Sequence, residues 1–153
     1  MRSMFLMALM LVAGCGDDPV SPKPIYSMAG TWTVPTSLSG TFVVTGDPTV
    51  YPFTCTGSTT AVLADASGTI TGSSAGELDC VLSDFGAGLL DMSGAVAGTR
   101  TGATVAMTAD LGWLCAYTGT MTTATAANGT VQCDYDGADG VLHGSGEWNA
   151  TRN

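Results

Sequence analysis

His143 and Ser145, with Asp134, Asp136 and Asp139 a few residues upstream, are the side chains whose types could support nucleophilic hydrolysis. That chemistry needs a strained elbow to present the serine, and no G-x-S-x-G surrounds Ser145; residues two apart on a strand merely share a face. The same stretch, Asp134-Tyr135-Asp136-Gly137-Ala138-Asp139-Gly140, offers carboxylates around glycine turns, the material of a calcium loop. Its spacing is not that of an EF-hand, because the third aspartate is displaced and Ser145 stands where the bidentate glutamate belongs. It reads instead as an Asp/Gly hairpin turn. The chain has no phosphate loop and no H-E-x-x-H, and a glycosidase carboxylate pair cannot be inferred from sequence. The expectation is therefore no catalytic residue, no metal ligand, no cofactor, and a protein that is not an enzyme.

The cysteines carry more information. Cys15 closes a stretch in which Arg2 precedes the apolar run from Phe5 to Val12. That run has the length of a cleaved export signal and is too short to span a bilayer. Val12-Ala13-Gly14-Cys15 resembles the bacterial lipobox, which implies acylation of Cys15 as the mature N-terminus. Residues 16–24, polar and proline-rich, follow as an extended tether. The expected organisation is a signal peptide at 1–14, lipidated Cys15 with a flexible tether at 15–27, and one domain at 28–153. Outer membrane is the preferred destination, because the aspartate lies one residue later than the inner-membrane retention position.

Cys55, Cys80, Cys115 and Cys133 remain, and an even number in an exported chain implies disulfides. Zinc would want a C-x-x-C or a histidine-bearing cluster, whereas these cysteines are far apart and His143 is the single histidine. Register selects the pairing. A two-residue turn at Ser67-Gly68 sets Cys55 opposite Cys80, and a turn centred on Ala124 sets Cys115 opposite Cys133.

Alternation supports the strands that this pairing needs. Phe53, Cys55, Gly57, Ala61 and Leu63 share one parity, opposite Thr54, Thr56, Ser58 and Thr60. Ile70, Gly72, Leu78, Cys80 and Leu82 fall together on the next stretch, and Trp113, Cys115, Tyr117 and Met121 on a later one. A period of two with one apolar face is a half-buried antiparallel strand. Gly68, Gly94, Gly119 and Gly144 recur at about 26 residues, the length of two strands and their turns. The polar face is too rich in threonine for the lipid-facing belt of a transmembrane barrel. With 13 acidic against 4 basic residues and a net charge of −9, nucleic acid is excluded as a partner, while a basic protein is compatible.

Gly30-Thr31-Trp32 opens the folded part and Trp148-Asn149-Ala150-Thr151-Arg152 closes it. Together these resemble the calycins, the superfamily of lipocalins, fatty-acid-binding proteins and avidins. The resemblance implies an all-β, antiparallel up-and-down meander barrel of about 8–10 strands. It further implies that Trp32, Trp148 and Arg152 close one end, with the arginine over the Trp32 ring. The lipocalin T-D-x-x-Y turn is missing, and biotin-binding residues cannot be matched, so no ligand site carries over. The expected function is a small-molecule-binding module held to the membrane by its N-terminal lipid. A small apolar ligand would lie against Trp113, Tyr117 and Tyr135. The alternatives are an envelope inhibitor of lysozyme or proteases, although the S-G-x-x-Y signature is absent, and a structural envelope protein.

Overall fold

The computed structural model describes residues 26–153; the expected leader, Cys15 and the tether through residue 25 lie outside them. The described chain is all β: β1 (Gly30–Val44), β2 (Val50–Ala66), β3 (Thr69–Leu82), β4 (Gly86–Asp91), β5 (Gly94–Thr101), β6 (Thr104–Asp110), β7 (Leu114–Met121), β8 (Ala126–Gly137) and β9 (Gly140–Arg152). Each strand pairs antiparallel with its neighbours in the order β2-β1-β9-β8-β7-β6-β5-β3-β4, and β2 also pairs with β3. That last seam closes eight strands into a barrel and leaves β4 outside the ring. No helix among the described residues is long and apolar enough to cross a membrane.

The expected registers hold. Ser67 and Gly68 both take positive φ (54° and 92°), as the two central residues of a type I′ hairpin turn require. Cys55 then faces Cys80 and Cys115 faces Cys133, and both pairs are disulfide-bonded. The inward parity is mainly the apolar one: Trp32, Leu38, Phe53, Ile70, Leu78, Val105, Val131 and Trp148 are buried, and most threonines alternate outward, Thr36 and Thr59 being buried among the inward set. Closure joins β1 to β9 from Trp32↔Arg152 to Val44↔Gly140. The ladder lapses at Val34 and Pro35, where proline has no N–H to donate.

Strand length separates the two ends. β4 and β5 pair with β3 in one continuous register, from Gly86↔Leu82 down to Thr99↔Thr69, and are a single strand interrupted at Met92-Ser93. β6 and β7 are much shorter than β8 and than β4 and β5 taken as one strand, and their hairpin turns back at Leu111-Gly112-Trp113. Pairing along β7 therefore stops at Leu114↔Asp134, while β8, β9, β1, β2, β3 and β4 run on. One end of the barrel is a closed ring. The other is an open curved wall with a notch between β4 and β8.

The glycine spacing does not mark equivalent positions. Gly68 lies in the β2–β3 turn, Gly94 begins β5, and Gly119 and Gly144 face inward in β7 and β9. The split of one strand into β4 and β5 shifts the repeat.

Candidate functional site

The closed end is sealed by the residues that precede β1. Met28 is 1% exposed and inserts into the ring. Its carbonyl accepts from Trp32 Nε1 at 2.8 Å, and its N–H donates to Asp65 Oδ2 at 2.9 Å. Asp65 also takes both Nε and Nη2 of Arg100, at 2.6 and 3.3 Å, and the Gly68 N–H at 3.0 Å. Its side chain is 1% exposed, and the Arg100 guanidinium holds its carboxyl down to about 2. Arg152 lies over Trp32, 5.1 Å from the ring centroid, and donates to the Ser27 carbonyl. A cation–π contact contributes about 0.5–2 kcal/mol, more as it is desolvated.

The structure places Trp148 elsewhere. It pairs with Thr36, well inside the barrel, and its Nε1 donates to the carbonyls of Thr130 (3.1 Å) and Thr118 (3.3 Å). Its ring crosses Gly129 to Gly119, where an added Cβ would meet Cζ2 at 2.6 Å. Tyr117 meets it edge-on at 6.2 Å, and burial pushes the Tyr117 phenol up to about 12. Inward glycines here open no cavity; they receive large rings. What remains among Met28, Trp32, Thr59, Met107, Tyr117 and Trp148 is a cavity of about 40 Å³. A water needs roughly 10–15 Å³ by this measure, whereas drug-sized ligands occupy roughly 300–1,000 Å³. The closed half is a core.

The open half differs. Phe42, Phe53, Leu82, Leu90, Leu142 and the Cys55–Cys80 bridge line a trough of about 200 Å³ on the concave face. Phe53 and the two cysteines form its floor, while Phe42, Leu82, Leu90 and Leu142 are half-buried at its lip. Glycine again makes room: an added Cβ at Gly144 would meet the Phe53 ring at 2.9 Å, and one at Gly140 the Phe42 ring at 2.9 Å. These rings lie along the wall and leave the middle free.

The three aromatic residues expected at the ligand are dispersed. Tyr117 lines the small inner cavity. Trp113 sits in the β6–β7 turn at the foot of the notch, and its Nε1 donates to the Asp91 carbonyl at 3.5 Å. Tyr135 faces inward on β8 opposite Leu142, a trough residue. On the outer face, His143 Nδ1 lies 2.7 Å from Asp134 Oδ1, and both side chains are largely exposed.

Sequence reasoning missed the sealing residues Met28, Asp65 and Arg100. A usable signal existed, since Asp65 and Arg100 carry charge on the inward parity of their strands. It also missed the trough, whose lining residues are ordinary apolar strand positions. The trough arises from the brevity of β6 and β7, which the turn at Gly112 announces.

No family model matches the chain, and no curated protein matches it. Among solved structures it is similar to the S-type phycobiliprotein lyase CPES from Guillardia theta, with 9% identity and a TM-score of 0.45. That likeness covers 82% of this chain and 88% of the other. It is also similar to EF1p2_mFAP2b bound to DFHBI, with 12% identity and a TM-score of 0.43 over 82% of this chain and 93% of that one. The expectation that the chain is not an enzyme does not stand, because one of these similar proteins is a lyase by name. The exclusion is dropped. Likeness at this level assigns the chain no reaction.

Proposed function

We propose that the protein is a lipid-anchored barrel of the bacterial cell envelope that binds a small apolar ligand in the trough of its open half. The trough carries this reading: a concave apolar surface of about 200 Å³ that the side chains of the described residues do not fill. Its size is below the roughly 300–1,000 Å³ typical of drug-sized sites, so the ligand is small or lies partly in solvent. The anchor rests on the residues from Arg2 to Cys15 and on the resemblance of the last four to a lipobox.

A neutral fluorescent probe such as N-phenyl-1-naphthylamine tests the site. It should bind saturably, and Gly88→Leu should abolish binding without loss of folding. Gly88 lines the trough, and a Cβ there would meet nothing within 4 Å. Binding that is non-saturable, or unchanged in Gly88→Leu, would refute the site. For the anchor, mass spectrometry of the membrane fraction should find acylated Cys15 as the mature N-terminus; retention of residues 1–14 would refute it.

A second reading has its own observation. On the outer side of the β3–β4 hairpin, Val81 and Leu89 are 57% and 65% exposed, and Phe85 in its turn is 61% exposed. An apolar patch of this kind suits a protein partner.

A further inference from the structure

Charge divides the molecule along the same axis as shape. Among the described residues, the arginines are Arg100 and Arg152 and there is no lysine. Both arginines belong to the closed end, Arg100 on Asp65 and Arg152 on Trp32. The turns around the open end carry Asp47, Asp84 and Asp139 instead, with Asp136 beside the last. These turns are joined to one another. Thr45 donates to the Asp139 carbonyl at 3.1 Å, and Tyr51 Oη donates to Asp47 Oδ2 at 2.7 Å while its ring meets Phe85 edge-on at 4.7 Å. Hydrogen bonds from Thr49 and Tyr51 hold the Asp47 carboxyl below the usual range, so it stays ionised. The one histidine lies on the outer face against Asp134 and does not offset the rim.

The trough opens inside this rim. Leu82 is two residues from Asp84, Phe42 three from Thr45, and Leu142 two from the Gly140 turn. At about 3.3 Å per residue these steps are within the Debye length of about 10 Å at 0.1 M salt. An apolar surface framed by carboxylates, with no opposing cation among the described residues, favours a ligand whose apolar body carries positive charge and disfavours fatty acids and other anions.

Resting on the trough as the binding site, we infer that its ligand class is the cationic amphiphile: a short aliphatic or aryl body seated against Phe42, Phe53, Leu82 and Leu142, with an ammonium group at the Asp47, Asp84 and Asp139 rim. The rim selects the charge and the trough holds the body.

Calorimetric titration with octyltrimethylammonium, octyl glucoside and octanoate, each below its micellar concentration, tests this. At low salt the cation should bind about tenfold tighter than the neutral probe, with octanoate weakest, and the preference should shrink near 1 M salt. The triple variant Asp47→Asn, Asp84→Asn, Asp139→Asn should bind cation and neutral probe alike. Equal binding of both to the unaltered protein would overturn the charge inference and leave the trough reading standing. A preference that survives in the triple variant would overturn the assignment to this rim. Binding of none of the probes would overturn the trough reading as well.

Discussion

The closed and open halves of this barrel share strands, parity and a supply of inward glycines, yet one is a core and the other a cleft. In the closed half the Trp148 ring crosses from β9 over Gly129 to Gly119, spanning the interior, and Met28 fills the end. In the open half Phe53 and Phe42 lie along the wall over Gly144 and Gly140. Beyond Leu114, no opposing β6–β7 wall is present for a ring to reach. An eight-strand barrel is just wide enough to be filled by its own side chains. Here, shortening one hairpin leaves half of it unfilled. Strand length makes the difference.

The sharpest test of that contrast is Trp148→Ala. It removes the side chain that spans the closed half together with its hydrogen bonds to the Thr118 and Thr130 carbonyls. Urea denaturation should show a loss of about 3–5 kcal/mol. Phe42→Ala at the trough lip, already half-buried, should cost well under half as much. Equal losses would mean that the open half is packed as a core and that the comparison fails.

The disulfides come next. Cys55–Cys80 and Cys115–Cys133 close separations of 25 and 18 residues, each contributing about 3 kcal/mol in the chain-entropy account. Replacing Cys115 and Cys133 by alanine should cost about that much by denaturant unfolding and leave probe binding intact. Replacing Cys55 and Cys80 should cost a similar amount and also weaken probe binding, because that bridge is part of the trough floor. Identical effects of the two replacements on binding would remove the distinction.

The smallest effect belongs to the seal. Asp65 titrates at about 2 in the fold against an ordinary value of about 3.9. Its ionised form therefore stabilises the fold fully above pH ~4, and this contribution is lost as pH falls towards 2. Asp65→Asn should be less stable than the unaltered protein by about 2 kcal/mol near neutrality, with the gap closing towards pH ~2. A gap that stays constant with pH would show that the Arg100 pair is not its source.

Local rules made the long β2–β3 hairpin, which runs through both halves, legible. Alternation of Phe53, Cys55, Ala61 and Leu63 marked the face of β2, and the turn chemistry of Ser67-Gly68 set the register that brings Cys55 to Cys80. The open half was harder to read because its character is an absence of pairing, and no residue type encodes that directly. Gly86-Ala87-Gly88-Leu89-Leu90-Asp91 has no alternation, so the part of the long strand that carries the trough lip gave no signal. Trp148 was legible as inward but not as central. Its depth depends on where β9 meets β1, which is the most distant pairing in the chain.

The β1–β9 seam also governs how the molecule can be attached to anything else. Gly30 and Arg152 lie at the same end, where Asn153 donates to the Thr31 carbonyl and Arg152 reaches Ser27. Both directions of the chain therefore leave from the sealed end, beside Met28. A surface, linker or fusion joined at either side would hold the protein by its plug and present the trough on the far pole, so immobilisation there leaves the acidic mouth unobstructed.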